Sequence, residues 1–395
     1  MAYRMTVLLL AFATALALVM PGPVSAAPRE AASKAATVQF IVSVKTSQGA
    51  LYETRKSFVK KAWSRAWPKA AAAADHGAGG RVAYGDAYME VKEGGSSRTF
   101  SLREDGSLLE PDTGSVITMP APIRKAWVQY AESLRTIHYG EMVAWDDAKT
   151  GVPLKSKVTV VDLETGLTFR AQRRAGSLHA DVQPLTKQDT ATMKHIYDGS
   201  WSWKRRAILV LYGGRKIAGS MHGMPHGGDG IPDNDFSGHF CIHFLGSSTH
   251  KTGAEDYAHQ LMVHKAAGQL DALLDRSLPA KLAETFLESL KQEDDALLVA
   301  ALRGTDPDTL SRYRKLLRSV ESVRYELPAA QDPKDDLTAE YRVKALVDGR
   351  GGGIREQTFR FRFAREATGS PWLLTEVGIE LQGNRGKQPQ NKQSR

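Results

Sequence analysis

A single cysteine, Cys241, in a chain of 395 residues removes every internal disulfide from the options for this fold. Whatever holds the chain together must be apolar burial, and a composition 42% hydrophobic and 25% charged is ordinary for that task. The constraint is sharper because the N-terminus reads as an export signal. Arg4 precedes an uncharged apolar run, Val7 to Met20, and Val24-Ser25-Ala26 offers a small-x-small cleavage site. The run is too short for a spanning helix, no later stretch is apolar enough to cross a bilayer, and no cysteine near the cleavage site suits a lipid anchor. Residues 1–26 are therefore expected to be a signal peptide, with the mature chain secreted or extracytoplasmic. Exported proteins normally use cysteines in pairs, so an unpaired thiol asks for another explanation.

The length suggests two or three domains. The net charge of +9 suits an anionic wall or membrane surface as well as nucleic acid, and no nucleic-acid motif accompanies it. A solubilising surface charge is the plain alternative. Part of the excess lies in residues 383–395, rich in Gln, Asn, Lys and Arg, which reads as a disordered basic tail.

The periodicities predict a multidomain α+β protein: a central, mostly β domain flanked by small α+β domains. After an Ala-rich leader, residues 37–137 form the first accessory unit. In it Val38, Phe40, Val42 and Val44 alternate as a strand; a helix carrying Phe58, Trp63 and Ala66 stops near Pro68; 70–80 is a loop; and a second helix begins at Pro120. The central unit, 138–275, holds a hairpin around Glu164-Thr165-Gly166, a helix starting at Thr186, a buried strand Ala207–Leu211, a strand delivering His222, a polar loop, a short strand Phe240–Phe244, and one helix from Asp256 to Leu274. Residues 279–382 carry three helical pieces and then switch to period two (Tyr341, Val343, Ala345, Val347; Phe359, Phe361, Phe363). That order weakly resembles cystatin-like, nuclear-transport-factor-like modules, a resemblance of pattern alone.

The chemistry concentrates around the cysteine. His222-Gly223 is followed by fourteen residues (224–237) and then by Gly238-His239-Phe240-Cys241-Ile242-His243. The central unit on these residues resembles the catalytic domain of L,D-transpeptidases, the YkuD type, whose signature is a His-Gly pair, about fifteen residues, and Ser/Thr-His-Gly-Cys with an Arg or Asn soon after. Gly238 stands where that pattern has Ser or Thr, Phe240 where it has a small residue, and His243 where it usually has Arg, so a divergent branch is implied. The resemblance covers about a third of the chain. It implies an acyl transferase acting on peptidoglycan peptide stems through a thioester, with no cofactor, Cys241 as nucleophile, and a site peripheral to the cell wall.

The residues support that chemistry independently. A thiol needs a neighbouring base, because its ordinary pKa is about 8.5. His239 lies two positions away, on the same face of an extended strand, which makes it the expected base, with His222 as a second imidazole. Main-chain N–H groups around Phe240 and Cys241 are candidates for an oxyanion hole. Gly223, Gly238, His226 and His243 are the expected substrate-binding residues; His243 equally suits stacking. The plain alternative for Cys241 is a core hydrophobe between Phe240 and Ile242. Two further functional classes compete. Seven of the chain's eleven histidines fall between His222 and His264 (with 226, 239, 243, 250 and 259), and with Cys241 they suit a zinc-dependent wall hydrolase, although no H-E-x-x-H is present. A non-catalytic wall-binding protein on a degenerate scaffold is the other. His179-Ala180-Asp181 lines the pocket or forms a surface turn. Trp201-Ser202-Trp203-Lys204-Arg205-Arg206 binds glycan or peptide carboxylates or packs between domains. Asp256 and His259 read as a helix start with a surface pair.

Overall fold

The computed structural model describes residues 37–381 except 77–79, 112, 229, 250–252 and 330–332. The expected signal peptide, leader and basic tail, parts of two expected loops, and His250 lie outside the described residues. What is described is a mixed α+β protein with three sheets, one of them a closed barrel. No helix among the described residues is long and apolar enough to cross a membrane.

The first sheet uses β1 (Gln39–Val44), β2 (Thr54–Phe58), β3 (Ala87–Glu93), β4 (Ser96–Leu102), β5 (Leu108–Leu109) and β6 (Val116–Ile117) in the order β2-β1-β3-β4-β5-β6. Two helices, α1 (Lys61–Ala72) and α2 (Ala121–His138), lay Trp63, Trp67 and Trp127 around Phe40, with ring centroids 5.6–5.8 Å apart. Two expectations fail here. Phe58 belongs to β2, paired with Phe40, and α1 runs through Pro68. Burial of Trp63 and Trp67 before the proline and of Ala70 after it outweighs the hydrogen bond the proline forfeits.

After α3 (Trp145–Gly151) come β7 (Lys157–Asp162), β8 (Thr168–Ala175), β9 (Ala180–Pro184), α4 (Lys187–Ile196, capped by Thr186), β10 (Arg205–Tyr212), β11 (Arg215–His222) and β12 (Phe240–His243). The six strands close as β10-β11-β12-β9-β8-β7. Val158, Val160, Phe169, Val182, Ile208, Val210, Met221, Phe240 and Ile242 share one apolar core with Phe244. Because side chains alternate along a strand, Phe240 and Ile242 in that core put Cys241 and His243 on the opposite face of β12.

That opposite face is covered by α5 (Tyr257–Ala266), which is buried from Ala258 onward. A single helix was expected to Leu274. Instead Gly268 sits at φ 65° and its missing Cβ admits the Tyr139 ring, so the chain breaks before α6 (Leu270–Asp275). α7 (Pro279–Gln292), α8 (Asp295–Ala301) and α9 (Pro307–Ser319) precede an antiparallel sheet of β13 (Val320–Tyr325), β14 (Thr338–Gly349), β15 (Gly353–Ala364) and β16 (Leu373–Leu381). Leu209 and Ala218 of the barrel, Leu261 and Met262 of α5, Phe286 of α7, and Val343, Phe359 and Phe361 of the last sheet belong to one hydrophobic core. Residues from segments 138–275 and 279–381 therefore contribute to one core.

Candidate functional site around Cys241

The loop between β11 and β12 returns to the barrel as a one-step ladder. His226 N–H donates to His239 O at 3.0 Å, and His239 N–H donates to His226 O at 2.7 Å. Glycine permits this closeness. Gly238 has φ 86°, and a Cβ on it would stand 2.3 Å from His226 O; a Cβ on Gly227 (φ 73°) would stand 2.3 Å from the His239 ring. Polar side chains pin the rest of the loop. Gln183 donates to Gly238 O and accepts from Ile231 N–H, while Asn234 donates to Pro184 O and accepts from Phe236 N–H.

The ladder sets an imidazole directly on the sulfur. His226 Nε2 lies 3.3 Å from Cys241 Sγ, and its Nδ1–H donates to Met224 O at 3.0 Å. With Nδ1 carrying the proton, Nε2 of the neutral ring accepts from the thiol. On the neighbouring strand Asp181 is in register with Cys241, its Oδ1 3.9 Å from the sulfur. The same oxygen lies 3.3 Å from His179 Nε2 and 3.6 Å from His239 Nε2, and His179 Nδ1–H donates to Ser248 O at 2.8 Å. Behind them His179, His243 and His259 stack at 4.5 and 3.8 Å, and His259 Nδ1 pairs with Ser220 Oγ at 2.8 Å.

The electrostatics follow from burial. Cys241 is 4% exposed, and burial first, with Asp181 adding, pushes its thiol pKa well above the ordinary value. The resting group is a neutral thiol. Burial pushes His222 down to about 2 and His243 to about 3, and drives His259 far down as well. Burial opposes the Asp256 carboxylate, yet Arg205 and the His259 N–H outweigh it and lower its pKa.

The predicted residues distribute unevenly. Cys241, His226 and His239 come together, but the ring that meets Sγ at hydrogen-bond distance is His226; His239 faces Asp181 and packs on His226 at 4.4 Å. His222 lies behind His226, centroids 5.2 Å apart. Gly223, expected to face substrate, packs where a Cβ would stand 2.4 Å from the Tyr197 ring, and Gly238 faces the His226 main chain. His243, also expected at the substrate, is 2% exposed within the ring stack. His179 and Asp181 are buried on and beside β9, not on a surface turn, and His259 is buried rather than half of a surface pair. Trp203 is 50% exposed and lies over His222 and His226 at 4.7 and 5.4 Å.

No protein-family model matches this chain, and no curated protein or solved structure matches it.

Proposed function

We propose that the protein is an exported, cysteine-dependent acyl transferase acting on peptidoglycan stem peptides, an L,D-transpeptidase-like barrel carried between accessory α+β parts. The observation that carries the reading is the 3.3 Å contact between Cys241 Sγ and His226 Nε2. It joins the family-like His222-Gly223 to Cys241 spacing to a nucleophile and a base of fixed tautomer. The net charge of +9 supports residence against an anionic wall.

In this reading the sulfur attacks the stem carbonyl as His226 takes the thiol proton. His226 then gives that proton to the departing amine, leaving a thioester on Cys241. An acceptor amine, or water, loses a proton to His226 and attacks the thioester carbonyl; the carbon–sulfur bond then breaks, and the proton returns from His226 to the released sulfur. Asp181 and His239 form the polar wall beside the sulfur. Trp203 offers an exposed aromatic shelf over the two imidazoles where an extended peptide can lie.

Incubation of purified protein with muropeptides tests this. The wild type is expected to give cross-linked or trimmed products and a mass adduct on Cys241, and Cys241→Ala neither. Identical muropeptide profiles from the two proteins would refute catalysis and leave a wall-binding scaffold.

A further inference from the structure

We infer that the donors gathered on the Cys241 sulfur form a binding site for a thiophilic divalent cation, with Zn²⁺ as its natural size and charge, and that the filled site silences the nucleophile. The donors are Cys241 Sγ, an Asp181 carboxylate oxygen and a His239 ring nitrogen, all within 4.8 Å of one another; His226 Nε2, 3.3 Å from the sulfur, belongs with His222 and Cys241 to an adjoining trio and is the ligand that swings in to complete the set. Bonds of about 2.0–2.3 Å from zinc to nitrogen, oxygen and sulfur give a tetrahedron with edges of roughly 3.3–3.8 Å. The separations present are 3.3 Å for Sγ to His226 Nε2, 3.6 Å for His239 Nε2 to Asp181 Oδ1, and 3.9 Å for Sγ to Asp181 Oδ1. These three edges are within a few tenths of an ångström of that tetrahedron, and closing the cage takes a larger movement of the His226 ring toward Asp181 and His239.

Three further features point the same way. His226 donates its Nδ1–H to a main-chain carbonyl, the arrangement that fixes a ligating imidazole with Nε2 free for the metal. His179, anchored through Nδ1–H on Ser248 O, sets its ring 3.3 Å from the Asp181 carboxylate oxygen and so confines the space that oxygen can occupy before any ion arrives. Charge also balances: a thiolate and a carboxylate cancel Zn²⁺, and two neutral rings complete the set, so a neutral complex replaces a buried thiol and carboxylate. The donor softness, one sulfur and two nitrogens against one oxygen, disfavours Mg²⁺ and Ca²⁺. Binding converts Cys241 S–H to a metal thiolate and releases one proton to solvent. The sulfur lone pair is then committed to the metal and His226 has no proton to accept. Binding stands independently of the acyl-transfer reading; the silencing rests on it.

Full-length protein, stripped with chelator and titrated with Zn²⁺ against a chromophoric chelator, is expected to bind one equivalent and release about one proton. Co²⁺ in its place is expected to give a sulfur-to-cobalt charge-transfer band that Cys241→Ser abolishes. Asp181→Asn and His239→Gln are expected to weaken binding by at least about 100-fold; His222→Gln leaves the affinity within a few-fold. Circular dichroism checks that each variant is folded, and the wild-type Co²⁺ spectrum needs no variant. Absence of the charge-transfer band, or equal affinity in wild type and Cys241→Ser, overturns the site. Alkylation of Cys241 is expected to stop in the zinc-loaded protein and resume with chelator. If the loaded protein turns over muropeptides and the stripped protein does not, silencing is overturned while the site stands. If zinc binds but neither form turns over, the acyl-transfer reading alone has failed.

Discussion

Replacing His226 with glutamine asks which imidazole serves the nucleophile. His226→Gln keeps a polar side chain of similar reach but removes the nitrogen that accepts the thiol proton. Positioned general bases contribute about 10²–10⁴-fold, or about 2.7–5.4 kcal/mol at 1.36 kcal/mol per decade. The structure selects the lower end. His239 has a ring nitrogen within 4.8 Å of the same sulfur and provides a partial substitute, so the expected loss is about 10²-fold. His239→Gln removes a ring that faces Asp181 rather than one bonded to the thiol, and its loss is expected to be clearly smaller. The assay is the rate of Cys241 acylation by a muropeptide donor, followed by intact mass in chelator-treated protein, with iodoacetamide alkylation as a substrate-free companion. Wild-type rates in His226→Gln together with collapse in His239→Gln would refute the assignment and make His239 the base.

Three other predictions follow from neighbouring features. Lys265, with its side chain 1% exposed, bridges Glu164 at 2.6 Å and Asp294 at 2.7 Å; Lys265→Met leaves two carboxylates without their cation and is expected to cost about 3–5 kcal/mol in urea unfolding, a loss under 1 kcal/mol counting against it. His138 is buried, and burial lowers its pKa to about 4 against Lys216, which adds, and Asp86, which opposes; Thr54, Tyr52 and Tyr139 are its other neighbours. The unfolded chain therefore binds the proton first, so stability should be full above about pH 6.5 and fall by at most about 3 kcal/mol down to pH 4, and His138→Gln should remove that part of the slope in a pH series of melts. Trp203→Ala should raise KM for stem peptides several-fold with kcat nearly unchanged, and an equal fall in kcat would move Trp203 from substrate shelf to site architecture.

The local layers of this structure were readable from the chain, and the long-range register was not. Period-two spacing found β14 and β15, and the short apolar run from Phe240 reads as the strand that carries the sulfur. What joins the sulfur to its partners is pairing at a distance. Asp181 reaches Cys241 because β9 and β12 align them, and His226 reaches it because the 226–239 ladder folds the loop back. The sequence signal for that ladder was present as Gly227 and Gly238, residues that tolerate positive φ, but nothing local says which main chain each approaches. His259 looked exposed for a similar reason: α5 carries His259, Gln260, His264 and Lys265, a polar count that suggests a surface helix. Each instead has a polar partner within the fold, Gln260 for instance holding Gly246 N–H and Phe244 O.

The shared core beneath α5 has a consequence for how the site can move. The strand bearing the sulfur is roofed by α5, and α5 rests on α7, whose far side is filled by Phe359 and Phe361 from near the C-terminus. A chain cut at Pro279 would strip that roof of its support and leave Leu261 and Met262 facing water. The barrel is thus no detachable cassette: residues 279–381 act as its keel, and thermal or denaturant opening of the nucleophile strand should coincide with loss of the sheet formed by β13 to β16.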